Sequence, residues 1–67
     1  MIIIERHINQ DYGYNLYLYR YQENGYSIVA DREPDGSVIL WKQENIAEET
    51  AVKRFWNIYF GIEEELD

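Results

Sequence analysis

One stretch of this chain restricts its fold more than any other, because large side chains alternate along an extended segment. From Leu16 to Tyr21 the chain alternates leucine with tyrosine, interrupted only by Arg20. Successive side chains of a β-strand point to opposite faces, so the leucines share one face and the tyrosines share the other. Both faces thus carry large apolar or aromatic side chains. The strand therefore needs a covering on both sides.

A turn signal directly after this strand predicts a β-hairpin. Asn24-Gly25 lies between apolar-rich runs, and a type I′ turn needs positive φ at both central positions. A two-residue loop there pairs Tyr21 with Ile28 and Tyr19 with Ala30. The tyrosines would then share a face with Ile28 and Ala30. The leucines would share the other face with Val29, Asp31 and Glu33.

Two further signals complete a predicted sheet. The β-branched run over 2–8 indicates a first strand. Glu33-Pro34-Asp35-Gly36 predicts a second turn, with proline preset for the first central position and glycine able to adopt the left-handed conformation. A three-residue loop there pairs Ala30 with Leu40 and adds Trp41 to the leucine face.

A helix is predicted after the fourth strand. Asn45-Ile46-Ala47-Glu48 fits a capping box, which marks a helix start. The apolar positions that follow span an arc of about 140°, suited to packing on a sheet; they are Ala47, Ala51, Val52, Phe55, Ile58, Tyr59 and Ile62. Trp56 and Phe60 lie on the flank of this arc. We expect the helix to cover the tyrosine side of the sheet and to leave the leucine side, with Leu18, uncovered.

The fold class that follows is α+β, a four-stranded antiparallel sheet in the order β-β-β-β-α with one C-terminal helix packed on one face. We expect a single domain over 1–67, with 62–67 as an acidic tail that frays, because acidic side chains at a helix C-terminus oppose its dipole. A chain of 67 residues has a thin core, and such domains often depend on disulfides, metals or partners. With no cysteine and one histidine, partner contact is the remaining route, and two apolar faces also predict a homodimer.

The charge of the chain narrows the classes of partner. It holds 13 acidic and 6 basic residues, a net charge of −7, which argues against direct contact with nucleic acid or an anionic membrane and favours basic partners. Residues 44–67 carry 7 acids and 2 bases, so most of the acidic excess lies in this C-terminal third of the chain. The apolar run Ile2-Ile3-Ile4 is too short for a signal peptide or a membrane span, and the absence of cysteine fits a reducing cytoplasm.

The sequence contains no catalytic or cofactor motif, so we expect no enzyme activity, no cofactor and no metal. His7 is the lone histidine and has no nucleophile arranged beside it. Asp31-x-Glu33-x-Asp35-Gly36 looks like half of a calcium loop, but Lys42 occupies the position of the bidentate glutamate. Stacking of bases on the tyrosines would need a basic groove, which the net charge disfavours.

A protein that binds basic surfaces remains as the prediction. Apolar anchors would supply affinity while an acidic rim steers association. The predicted partner-binding residues are Glu48, Glu49, Trp56, Phe60, Glu63, Glu64, Glu65, Trp41 and Leu18.

In size, acidity, absence of cysteine and sheet-plus-helix build, the chain resembles the small phage-encoded inhibitors of bacterial defence, including anti-CRISPR proteins of the nucleic-acid-mimic kind. The resemblance implies an inhibitor in the host bacterial cytoplasm that binds a CRISPR effector subunit and blocks recognition of target DNA.

A second, local resemblance involves Gly25-Tyr26-Ser27-Ile28, Pro34-Asp35 and Asn45-Ile46-Ala47-Glu48-Glu49. These segments are similar to the core of HicB-type antitoxins, which have a Gly-Tyr strand, a Pro-Asp segment and a Thr-x-x-Glu-Ala helix start. This resemblance implies an antitoxin that neutralises a small basic ribonuclease.

Overall fold

The structure, a computed structural model, describes residues 2–9, 14–32 and 36–66, with the side chains of residues 9, 14, 32 and 62–66 left aside. The elements are β1 (Ile2–Asn9), β2 (Tyr14–Gln22), β3 (Gly25–Arg32), β4 (Gly36–Glu44) and α1 (Glu48–Leu66). The strands form one antiparallel sheet in the order β1-β2-β3-β4, and α1 packs on one of its faces. The predicted α+β class and element order are confirmed.

The register of the first hairpin differs from the prediction, and the difference exchanges the two faces of β2. Leu18 pairs with Ile28 and Tyr17 with Val29, whereas the predicted two-residue loop pairs Tyr21 with Ile28. The shift is three residues, and any odd shift turns every side chain of a strand to the other face. Leu18 therefore lies on the face of Ile28, and the tyrosines of β2 lie on the face of Val29.

The turn accounts for two residues of the shift, and a bulge at Tyr21, between the pairs Gln22–Gly25 and Arg20–Tyr26, accounts for the third. Glu23 and Asn24 form the turn, and Asn24 adopts the left-handed conformation with φ of 58°. Gly25 already belongs to β3, where a Cβ atom would come within 2.5 Å of Gln22 Cγ and 3.0 Å of the Tyr21 ring. Glycine is needed at this position for a close approach of neighbouring side chains rather than for positive φ.

The helix covers the leucine side of the sheet, so the prediction that it covers the tyrosines is wrong. The core consists of residues from β2, β3 and α1 that are almost fully buried: Leu16, Leu18, Tyr26, Ile28, Ala51 and Phe55. Burying side chains of this size contributes about 1.5–3 kcal/mol each, which makes the leucine face the stabilising one. The predicted pair Ala30–Leu40 is wrong, because Ala30 pairs with Val38. Trp41 pairs with Ile28 and so lies on the leucine face, as predicted, whereas Ile39 lies with Val29 on the tyrosine side.

The start of α1 also differs from the predicted capping box. The first helical hydrogen bond runs from the Ala51 amide to the Ala47 carbonyl, at 3.2 Å, so the helix begins two residues later than a cap at Asn45 would place it. Asn45 instead has φ of 60°, a left-handed conformation that asparagine tolerates better than most residues. It turns the chain from β4 toward the helix. At the other end, α1 continues through Gly61 to Leu66, and the fraying of the acidic tail over 62–67 stays a prediction.

Candidate protein interface

The side of the sheet opposite α1 carries an uncovered apolar surface, which we call the tyrosine face. Its side chains come from all four strands and lie between the sheet and solvent: Ile3, Tyr17, Tyr19, Tyr21, Val29 and Ile39. Ile39 is 61% exposed, and the rings of Tyr17 and Tyr19 are 5.8 Å apart. Predicted to lie beneath the helix, these tyrosines instead form the outer surface.

Polar contacts fix Tyr21 at one end of this face. Its hydroxyl donates a hydrogen bond of 3.2 Å to Glu44 Oε1, and Lys42 Nζ lies 4.7 Å from the centre of its ring. Partial burial of the phenol, together with the adjacent Glu44 carboxylate, raises the pKa of Tyr21 above its ordinary value. The neutral phenol is therefore the form present at physiological pH, and it can keep donating to Glu44.

A shallow depression of about 350 Å³ lies on the tyrosine face between β2, β3 and β4. Ser27 forms its floor and is almost fully buried, whereas Lys42 and Ile39 form its exposed rim. The depression is apolar with one cationic group at its border. A surface of this kind suits an apolar side chain of a docked protein.

Four exposed glutamates lie toward the end of the molecule that holds the β2–β3 turn, and we call this the acidic end; they are Glu23, Glu44, Glu48 and Glu49. Glu23 is in that turn, and Glu44 pairs with Gly25 directly beside it. The Ile46 amide donates a 3.2 Å hydrogen bond to the Asn24 carbonyl, which brings the start of α1, with Glu48 and Glu49, to the same end. The acidic end thus combines three segments that are separate in sequence.

Glu48 and Glu49 suit the first turn of α1, where carboxylates interact favourably with the helix dipole. Glu49 Oε1 is also 3.5 Å from Lys53 Nζ, one turn further along the helix. Both side chains are highly exposed, so this ion pair contributes little to stability and leaves the carboxylate accessible to a partner.

Aromatic side chains extend from the acidic end along one flank of α1. Trp56 packs against Tyr59 and against His7 of β1, with ring centres 5.5 and 6.4 Å apart, and the His7 ring lies 4.1 Å from that of Tyr59. Phe60 follows one turn after Trp56, 6.2 Å away, and is 57% exposed. At 100° per residue Glu49, Trp56 and Phe60 share this flank, as the sequence predicted for the two aromatics.

The predicted partner-binding residues do not all converge on one surface. Leu18 is fully buried beneath α1, so its predicted place on an uncovered face is wrong; the odd shift in register moved it into the core. Trp41 is half-buried on the β4 side of the helix, with the Arg54 guanidinium 5.8 Å from its ring centre. Glu63, Glu64 and Glu65 belong to the last turns of α1, and their side chains lie outside those described.

Sequence reasoning missed Glu23 and Glu44 as members of the acidic cluster. Neither lies in an acidic run, and only the pairing of the strand ends brings them beside Glu48. The proximity of Glu44 to Glu48 could have been predicted from the short connection between them. A connection of three residues must leave the helix start close to the end of β4.

Within the described part of the chain, no group of three or more histidine, cysteine or acidic residues is arranged to hold a metal ion. No helix in the same residues is long and apolar enough to cross a membrane. The chain matches no protein-family model, no curated protein and no solved structure. The assignment of function therefore depends on the acidic end and on the aromatic flank of α1.

Proposed function

We propose that this protein is an inhibitor that binds a basic, nucleic-acid-binding surface of another protein and blocks the approach of nucleic acid. The observation that most supports the proposal is the acidic end, where the fold gathers exposed carboxylates from the β2–β3 turn, the end of β4 and the first turn of α1. Carboxylates held on separate elements present a spaced set of negative charges. A basic cleft can accept such a set in place of phosphates.

The aromatic flank of α1 supports the same proposal, because charge alone gives association rate more than affinity. Trp56 and Phe60 lie on the flank that Glu49 begins, so one partner can contact the acidic end and both rings together. Partly exposed aromatic residues next to charged groups are the usual composition of an interface centre. The carboxylates would steer the target and the rings would hold it.

The class of target comes from the overall resemblance to phage-encoded inhibitors of bacterial defence. On that basis the target is a subunit of a CRISPR-Cas effector complex, the blocked step is recognition of target DNA, and the site of action is the host bacterial cytoplasm. The protein acts by occupying a surface, without turnover and without a cofactor.

Reversing the charge of the acidic end tests the proposal. The variant Glu23→Lys/Glu44→Lys/Glu48→Lys/Glu49→Lys should bind the effector at least about 100-fold more weakly and should no longer prevent its binding to DNA. CRISPR-Cas effector complexes are first captured by affinity from a bacterial lysate treated with nuclease, at low and high salt. The captured complex is then titrated with wild type and variant to measure their affinities and the binding of the complex to DNA.

The matched control replaces the same four residues with aspartate, which keeps the charge and should keep binding within a few-fold. Far-UV circular dichroism of both variants establishes that they are folded. Unchanged binding and inhibition by the lysine variant would rule out nucleic-acid mimicry through this end.

A HicB-type antitoxin that neutralises a small basic ribonuclease is the second candidate. It is favoured by Gly25-Tyr26, which begin strand β3, because that resemblance includes a Gly-Tyr strand. Co-expression separates the two candidates: an antitoxin restores growth of cells that express the ribonuclease encoded next to it. An inhibitor of CRISPR-Cas has no effect on that growth and instead protects invading DNA.

A further inference from the structure

Apart from Glu44, whose carboxylate accepts a hydrogen bond from Tyr21 at its border, the tyrosine face lies on the opposite side of the sheet from the α1 residues of the proposed target contact. Its exposed residues include Ile3 at the β1 edge and Ile39 at the β4 edge, 47% and 61% exposed, with tyrosine rings between them. A contiguous apolar surface that reaches across a whole sheet is larger than the scattered apolar residues of an ordinary monomer surface. Such a face normally has an occupant.

The two edges of the sheet are less suited to a partner than this face. In β4 the register shifts around Leu40, between the pairs Ile28–Trp41 and Val29–Ile39. In β1 it shifts around Ile4, between Ile3 and Glu5. Bulges in edge strands interrupt the regular spacing of hydrogen-bonding groups and disfavour addition of another strand. Docking on the face avoids this obstacle.

The area of the face fits one further copy of a chain this small. Four strands of 8 or 9 residues give a sheet of roughly 28 by 19 Å, or roughly 500 Å² in projection. Because the tyrosine side chains protrude, the accessible area of the face is larger than this projected area and comes closer to roughly 600 Å² per partner. That value is the lower limit of specific interfaces. The face can therefore support a dimer of moderate affinity.

Two charges on the face, Lys42 and Asp31, are complementary to those of a second copy turned end over end. Lys42 pairs with Ser27 toward the β2–β3 turn, whereas Asp31 pairs with Ser37 toward the opposite end. Val29 and Ile39 pair at the level between them. A two-fold axis that crosses the strands at this middle level brings Lys42 of each copy over Ser37 of the other, beside Asp31 on the next strand, and symmetry makes the contact twice. Arg6, which pairs with Tyr17 at the same level, meets its own copy at the exposed β1 edge, where both side chains can turn to solvent.

We propose that the tyrosine face is the interface of a symmetric homodimer in which two sheets stack face to face. Val29 and Ile39 lie at its centre, and two Lys42–Asp31 ion pairs lie toward its ends. Because the copies are turned end over end, the acidic ends point away from each other and stay accessible. The dimer does not depend on the proposed target, since it forms from the isolated protein.

Sedimentation equilibrium of the purified protein tests this interface. The wild type is expected to dimerise with a Kd between about 1 and about 100 µM, as a small interface allows. Lys42→Glu and Asp31→Lys each place like charges together twice and should weaken the dimer at least about tenfold. The double variant Lys42→Glu/Asp31→Lys restores opposite charges and should return the Kd to within about threefold of wild type.

Two more variants make the result decisive. Ile39→Lys puts a charge at the centre of the interface and should give a monomer, whereas Lys53→Glu, on the exposed side of α1, should leave the dimer unchanged. Far-UV circular dichroism establishes that each variant is folded. A wild-type monomer at about 1 mM would overturn the dimer, as would a dimer that survives Ile39→Lys. A double variant no tighter than either single one would overturn the end-over-end arrangement.

Discussion

Leu18 determines at the scale of single residues which side of the sheet is the inside. It is fully buried beneath α1, next to Leu16 and Ile28, whereas Ile39 on the other face is 61% exposed. Leu18→Ala removes three buried carbon atoms and leaves a cavity, so we expect a loss of about 2–5 kcal/mol in the free energy of unfolding. Urea denaturation followed by circular dichroism measures the loss.

The matched control for Leu18→Ala is Ile39→Ala, which shortens an exposed side chain. We expect this variant to lose less than about 1 kcal/mol at concentrations where the protein is monomeric, because the methylenes it removes are mostly in contact with water. Equal losses for the two variants would contradict the assignment of the leucine face to the core. If Leu18→Ala does not fold at all while Ile39→Ala does, the contrast still holds.

The elements of this fold were predictable because each depends on local chemistry. Alternation marked the strands, the turn residues marked their ends, and the 3.6-residue period marked α1. The facing of β2 was not predictable, because the turn at Glu23-Asn24 shifts the register by two residues from a turn at Asn24-Gly25, and a bulge at Tyr21 adds the third residue that makes the shift odd. Both faces carry large apolar side chains, so the hydrophobic pattern did not choose between them.

Asn24 fixes the position of the turn at the scale of the hairpin, and the bulge at Tyr21 completes the register. The Asn24 φ of 58° is in the left-handed region, which asparagine and glycine tolerate and alanine does not. We expect Asn24→Ala to lower the free energy of unfolding by about 1 kcal/mol and Asn24→Gly to change it by less than about 0.5 kcal/mol. Thermal or urea denaturation of both variants measures this. A larger loss for glycine than for alanine would contradict the turn conformation.

At the scale of the whole molecule, the candidate interface was predictable only where one element carries it. Trp56 and Phe60 fell on the predicted helix flank because helical geometry alone places residues four apart on one side. The acidic end required Glu23 and Glu44 to meet Glu48, which depends on how the strand ends and the helix start come together. Contacts between separate elements follow from packing and register, neither of which the local pattern determines.

The net charge of −7 predicts opposite effects of salt on folding and on target binding. Raising NaCl from about 0.01 M to about 1 M shortens the Debye length from about 30 Å to about 3 Å. Screening relieves repulsion among the carboxylates, so we expect the free energy of unfolding to rise by about 1 kcal/mol or less. Urea denaturation across the salt series, at concentrations where the protein is monomeric, measures the rise.

The control replaces Glu63, Glu64 and Glu65 with glutamine, which reduces the net charge from −7 to −4 and should flatten this dependence. Binding to a basic target should weaken over the same salt range, because the attraction between opposite charges is screened as well. A protein that becomes more stable while it binds less tightly cannot be losing its partner by unfolding. Parallel losses of stability and binding would contradict an electrostatic origin for the association.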